Sequence, residues 1–256
     1  MMKFLYKLIG YWRLKTKSNF GYLGSGKPPM LGEFGIFEVL QRSGQWDLYL
    51  PEYEYQRFAW GDTMACVTYS FLNCLETLLK RTYNETWDFS DRFTAKMSGT
   101  TYSGNTMYNV LESFRTINGF VAFLFWRNEA LSWVDYYADI PKTINMGGNQ
   151  IDLIALAKDN LKEFTIYEDW IEPTNADKIK EALKYSPLWI SIYAYGQKVN
   201  GVYQRVDGSP NHCIILYGYD EAGNWKVYDH YLGGEKRLLA PDYNIGTAVN
   251  LKIIKN

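Results

Sequence analysis

An α+β fold with segregated helix-rich and strand-rich halves is what this sequence predicts, and three observations predict it. A long apolar run between Thr63 and Lys80 keeps helical spacing, and three further helical patterns follow it. After Pro187 the apolar period drops from about 3.6 to about 2, the signature of strands. Helices first and strands last point to an α+β arrangement, and 256 residues suffice for one large domain or two lobes sharing a core.

The elements follow in order. The start, Met1 to Arg13, is apolar and basic. Lys7 interrupts it and no small-residue cleavage site follows closely, so it reads as an amphipathic helix or arm rather than a signal peptide. Residues 17–34 are rich in Gly, Ser and Lys, contain Pro28-Pro29, and read as loop. Short apolar runs at Gly35–Leu40 and Trp46–Pro51 read as extended segments. Residues 1–45 therefore form an N-terminal arm ahead of a domain at 46–256. The helix from Thr63 to Lys80 places Val67, Phe71, Cys74 and Leu78 on one face, with Tyr69, Leu72, Leu75 and Leu79 beside them. Apolar around much of its circumference, it belongs in the domain centre. A second helix spans Asn105 to Ile117, stopped by Asn118-Gly119, and a third runs from Ile151 to Phe164 after Gly147-Gly148. A fourth runs from Ala176 to Tyr185, capped by Thr174 or Asn175 and closed by Pro187. Strands are expected at Leu188–Tyr195, His212–Tyr219, Asn224–Tyr231 and Thr247–Ile254.

Bulk composition excludes several classes. Hydrophobic content of 47% with 21% charged residues excludes wholesale disorder. A net charge of −1 gives no electrostatic case for nucleic acid, and no run of 18 apolar residues offers a membrane span. The aromatic residues, 22 of them Tyr, read as packing. Three cysteines, at 66, 74 and 213, form neither a disulfide framework nor a CxxC pair, which fits a reducing, cytoplasmic compartment. His212 and His230 lack a companion cysteine cluster, so no metal is expected, and no cofactor.

One constellation carries chemistry. Cys66 opens the central helix, His212 heads a strand far downstream, and Asp229 closes the next strand. These are a nucleophile, a base and an orienter. An isolated thiol, with a pKa near about 8.5, is only a few per cent thiolate at neutral pH. A helix N-terminus contributes about 0.3–1 kcal/mol, less than one pKa unit. The chemistry therefore requires the His212 imidazolium beside Cys66. Cys74 and Cys213 read as core packing, and His230 as exposed or packing.

These residues resemble the papain-like (C1-type) cysteine peptidases, whose His and Asn lie about 130–150 residues beyond the Cys. Cys66-Val-Thr-Tyr69-Ser70, with Glu76 later in the helix, is similar to the family's Cys-Trp-Ala-Phe-Ser and its helix Glu. Phe89-Ser90-Asp91 resembles the Leu-Ser-Glu segment and Ser186-Pro187-Leu-Trp-Ile-Ser the Gly-Pro-Val strand. Gly201-Val-Tyr203, Asn211-His212 and Gly218-Tyr219 follow the family's Gly-Ile-Tyr, Asn-His and Gly-Tyr in order. The resemblance covers roughly residues 46 to 235.

The resemblance also has departures. The Cys-Gly-Ser-Cys-Trp signature is absent: Thr63 stands at its disulfide cysteine and Val67 at its Trp. Asp229-His230-Tyr231 replaces Asn-Ser-Trp, so Asp229 would orient the imidazole and Tyr231 would shield it. Trp60 stands where the family has its oxyanion Gln, and Gln56, four positions earlier, fits that role when a short insertion loops out. Residues 122–165 have no counterpart, and only about 50 residues precede Gln56, in place of the family's long inhibitory prosegment.

The resemblance implies a two-lobe fold. A helical lobe at about 60–170 is built on the central buried helix, and an antiparallel β-barrel-like lobe comprises about 46–59 and 180–256. It implies catalytic Cys66, His212, Asp229 and Gln56, substrate-binding Gly104 and Asn211, and a peptide or protein substrate cleaved through a thioester. Two alternatives stand beside it. The same triad could serve another acyl donor, as a transglutaminase, thiol amidase or cell-wall peptide hydrolase. Otherwise the chain is a non-catalytic papain-fold component of a larger assembly, including a virion.

Overall fold

The structure, a computed structural model, describes residues 21–26, 38–52, 54–127, 130–231 and 235–256. Most of the expected N-terminal arm, including Pro28-Pro29 and Gly35–Phe37, lies outside them. The α+β expectation holds. A small hairpin, β1 (Arg57–Phe58) and β2 (Gly61–Asp62), leads into the long helix α1 (Cys66–Tyr83). Then come α2 (Asp91–Met97), α3 (Met107–Glu112) and the short α4 (Trp133–Tyr136), followed by a second hairpin, β3 (Thr143–Met146) and β4 (Asn149–Asp152). Helix α5 (Leu153–Asn160) precedes strand β5 (Phe164–Ile171), and α6 (Ala176–Ala182) precedes β6 (Leu188–Ile192). The remaining strands are β7 (Lys198–Val199), β8 (Val202–Tyr203), β9 (His212–Tyr219), β10 (Trp225–Asp229), β11 (Glu235–Leu239) and β12 (Ile245–Lys255).

Eight strands form one sheet in the order β5-β12-β6-β9-β10-β11-β8-β7. All its pairings are antiparallel except that of β11 with β8. This sheet is open, with β5 and β7 at its edges, where the sequence reading expects a barrel-like lobe. Closure is replaced by the long strand β12, which pairs with β6 on one side and extends beyond it to carry β5 on the other.

Local differences from the sequence expectation have local causes. Helix α1 starts at Cys66 rather than Thr63 because Met64 holds a left-handed backbone (φ 60°) and Ala65 lies outside helical space. Its other end runs on to Tyr83, where Asn84 adopts the left-handed cap. The expected helix Asn105–Ile117 is α3 capped by Thr106 and continued by a single π-helical turn, Ser113–Ile117. The expected helix Ile151–Phe164 is shorter: Asp152 caps it, accepting from the N–H groups of Ile154 and Ala155 at 3.0 and 2.9 Å. Phe164 beyond it opens strand β5. Around Trp46 the chain turns rather than extends, and the buried indole Nε1 donates to the Leu183 carbonyl at 2.7 Å.

Helix α1 is the centre of the core. Its residues Cys66 to Leu79 are all buried, and it packs on the sheet along β9, with contacts to β6 and β12. Phe71 meets Phe114 edge-on at 5.3 Å and Trp189 at 5.0 Å, joining the helical half to the sheet. That packing fixes the start of α1 against the start of β9. Truncating Phe71 to Ala removes a fully buried ring at this junction. It should lower stability by about 3–5 kcal/mol, read as a fall in the urea midpoint with the slope unchanged.

Candidate active site

The site is assembled from chain ends of regular elements. Between Gln56 and Thr63 the β1–β2 hairpin loops out, and its base is closed by the Thr63 N–H donating to the Gln56 carbonyl at 3.3 Å. Gln56 therefore stands next to Thr63 in space, just ahead of Cys66. Its Nε2 donates to Asp62 Oδ1 at 2.8 Å, and the Met64 N–H donates to the same oxygen at 2.7 Å. The turn through Met64 and Ala65 aims Cys66 from the first position of α1, where no side chain among the described residues caps the helix N-terminus. The unspent N–H groups there favour an anionic sulfur.

His212 and Asp229 lie at the same end of the neighbouring antiparallel strands β9 and β10. His212 Nε2 and Asp229 Oδ1 are 3.0 Å apart, and the Tyr231 N–H donates to that oxygen at 3.0 Å. The other oxygen accepts from the Tyr195 hydroxyl at 2.5 Å and pairs with Arg237 Nε at 3.5 Å. Burial by itself raises the Asp229 carboxyl, but the charges of His212 and Arg237 overcome it and hold the group far below the usual carboxylate range. Burial likewise lowers the imidazole, and the Asp229 charge and hydrogen bond reverse this, pushing His212 up to about 10. The Tyr231 ring meets His212 edge-on at 6.0 Å, in the shielding place the sequence suggests.

With Nε2 committed to Asp229, the imidazole has its other nitrogen left for Cys66, and each of the two groups shifts the ionisation of the other. Burial raises the Cys66 thiol. Hydrogen bonds from the Cys213 thiol, His212 and the Cys213 backbone, with the His212 charge, outweigh it and lower the group to about 6. Both directions agree on one state at neutral pH, a thiolate beside an imidazolium. His230, also buried, stacks on Tyr69 at 5.3 Å. Burial lowers its pKa to about 3, so it stays neutral and adds no second charge.

A strand of the arm lies over these groups. The Leu23 N–H donates to the Asn105 carbonyl and the Asn105 N–H to the Gly21 carbonyl, both at 2.8 Å, a parallel bridge about Tyr22. Met107 and Tyr108 N–H groups bond the carbonyls of Gly24 and Ser25. Glycine is required where these backbones meet. A Cβ on Gly104 would fall 1.8 Å from the Gly21 carbonyl oxygen, and one on Gly21 would fall 2.1 Å from that of Met64. The backbone beside Gly104 thus holds an extended peptide segment against the turn preceding Cys66. Asn211 instead anchors the chain beyond β6, its Oδ1 accepting from the Ala194 N–H at 2.9 Å. Cys66, His212, Asp229 and Gln56 are all 0% exposed.

Similarity to known proteins lies in structure rather than sequence. No family model matches the chain, and no curated protein matches it. Solved structures do. The ragweed pollen cysteine protease Amb a 11 in its proform matches with a TM-score of 0.58 at 14% identity, covering 90% of this chain and 72% of that one. A recombinant stem bromelain precursor matches with a TM-score of 0.59 at 14% identity, covering 90% and 76%. Digestive procathepsin L 3 of Tenebrio molitor larval midgut matches with a TM-score of 0.56 at 13% identity, covering 96% and 78%. The chain has the papain-like fold.

Within the papain-like fold, several residues of this site carry no sequence signal of their own. Tyr195 and Arg237 reach Asp229 from a segment after β6 and from β11. Cys213, expected as core filler, helps lower the Cys66 thiol, which strand alternation gave no sign of, since it turns successive side chains to opposite faces. Asp62 is placed by the hairpin.

A separate cluster could hold a metal ion: among the described residues, carboxylate oxygens of Glu54, Glu76 and Asp88 lie within 4.8 Å of one another. Burial raises Glu54 to about 7 and Asp88 to about 6. Along α1, Glu76 stands about 15 Å from Cys66, so this cluster is not part of the thiol site.

The electrostatics make a direct prediction. Titrated by its thiolate ultraviolet absorbance, Cys66 should ionise near pH 6, and Cys66→Ala should remove the transition. In His212→Ala the transition should move above the ordinary thiol value of about 8.5, because burial then acts without the imidazolium.

Proposed function

We propose that the chain is a cysteine peptidase that hydrolyses peptide bonds through Cys66, His212 and Asp229. The single observation that carries this reading is His212 locked through Nε2 to the buried Asp229 carboxylate at 3.0 Å, with its charge holding down the Cys66 thiol at the start of α1. The Cys66 thiolate attacks the substrate carbonyl carbon, and the π electrons move to its oxygen. That oxyanion takes hydrogen bonds from the Cys66 backbone N–H and the Gln56 amide. An amide nitrogen carries two hydrogens; Asp62 takes one and thereby orients the other. The intermediate collapses as the C–N bond breaks and the His212 imidazolium gives its proton to the leaving amine. A water then loses a proton to His212 and attacks the thioester, releasing the acid and regenerating the thiolate. Asp229 holds the ring throughout and stabilises its charged form.

The arm strand Gly21–Ser25 must leave its seat before a peptide can enter, since the reacting groups are wholly covered. This complete burial favours one second reading, a non-catalytic papain-fold binding protein. The two separate in a Tyr22→Ala variant of the full chain assayed on a fluorogenic peptide library. Turnover abolished by adding Cys66→Ala supports the peptidase; no turnover, with Cys66 inert to alkylation, supports the binding protein. For the peptidase, kcat/KM should rise through about pH 6 as the thiol ionises and fall through about pH 10 as the imidazolium is lost. Gln56→Ala should lower kcat by about 10²–10³-fold, with KM little changed.

A further inference from the structure

Away from the thiol, three carboxylates from separate segments line one cavity of about 540 Å³. Glu54 precedes β1, Glu76 projects from α1, and Asp88 lies between α1 and α2. Their burial grades from exposed Asp88 through Glu54 to buried Glu76. Among the described residues, no lysine, arginine or histidine forms an ion pair with any of the three. Lys80 lines the same cavity without pairing. Burial and neighbouring carboxylates raise all three groups.

Asn73 gives a second, independent sign. Its side chain is wholly buried and shares a face of α1 with Glu76, three residues on. Nδ2 donates to Glu54 Oε2 at 2.7 Å and to Glu76 Oε2 at 3.2 Å, which aims the carboxamide into the cluster. Its Oδ1 has no hydrogen-bond partner among the described residues. A buried acceptor left unpaired is costly. Half a turn of the carboxamide exchanges its two ends and brings that oxygen among the carboxylates. Oxygen would then face oxygen, an arrangement that only a cation between them makes favourable.

We propose that Glu54, Glu76, Asp88 and Asn73 bind one calcium-like divalent cation. Every donor is an oxygen, which selects a hard cation over zinc or copper. Oxygens sharing a calcium ion at about 2.4 Å lie no more than about 4.8 Å apart, and the three carboxylates are already within 4.8 Å of one another. Glu76 Oε1 stays on the Phe89 N–H at 2.9 Å, so Oε2 is the oxygen it gives the ion. The cavity leaves room for the waters that complete a coordination shell of about six to eight. Bound there, the ion ties the segment leading into Gln56 to the central helix. The inference is independent of the peptidase reading.

The test needs no turnover. In the full chain stripped of metal by chelation, calcium chloride should raise the thermal midpoint. Calorimetry should give one ion per chain with Kd below about 10⁻³ M, the weak limit of protein calcium sites. Magnesium, which demands a tighter octahedron, should bind at least about tenfold more weakly. Terbium, which takes the same oxygen donors as calcium, should emit on tryptophan excitation, since Trp87 lines the cavity. Asp88→Asn changes an exposed position, keeps the fold, and should weaken calcium by at least about tenfold. Adding Glu54→Gln should abolish both calcium binding and terbium emission. Asn73→Asp, which places a charged oxygen where the carboxamide turns, should bind calcium more tightly than the parent. No midpoint shift and no terbium emission up to about 10⁻² M calcium or terbium, or equal affinity for magnesium, would overturn the proposal. A double variant that binds as the parent does, or Asn73→Asp binding no more tightly, would overturn the ligand set.

Discussion

A carboxylate buried without solvent is the constraint around which this protein is arranged. Asp229 is tolerated in the interior only because four groups meet it: the His212 ring, the Tyr231 N–H, the Tyr195 hydroxyl and the Arg237 guanidinium. A buried charge lacking one such partner typically costs about 3–5 kcal/mol. Strands β9, β10 and β11 must therefore pair in one register, and that register sets His212 where α1 begins. The charged imidazole in turn holds the thiolate, so structure and reactivity share a single electrostatic cause.

The sulfur is stabilised from several directions at once. The helix start supplies unspent N–H groups, His212 a full charge, and Cys213 both its thiol and its backbone N–H. Burial opposes all of them, and it outranks any one of them in size. Such a site works as a sum. His230 remains neutral chiefly because burial disfavours its charge, and the His212 imidazolium, at 6.0 Å between ring centres, adds repulsion.

Much of this was legible in the sequence, and the reasons are residue by residue. The buried helix showed in the spacing of Val67, Phe71, Cys74 and Leu78, because these positions all enter the core. Strand β9 showed from end to end because an apolar run, turn residues beyond it and a histidine at its head coincide there. Strand β5 did not, since the preceding helix ends only three residues before Phe164 and the apolar spacing runs on through the join. The open sheet was equally hidden: closure depends on which edges pair, and periodicity says nothing of partners. Tyr195, Arg237 and Tyr22 reach the site from distant segments of common residue types, so no local pattern marks them.

The small hairpin ahead of the helix has a consequence for how such chains can vary in length. Its base is fixed twice, by the Thr63 N–H on the Gln56 carbonyl and by Asp62 on the Gln56 amide, while Phe58 and Gly61 pair above. Strand pairing repeats every two residues. The ribbon can therefore grow or shrink at its tip by whole pairs without displacing the amide below. A fixed count from glutamine to cysteine is then no measure of this architecture; what persists is the closure at the ribbon's foot.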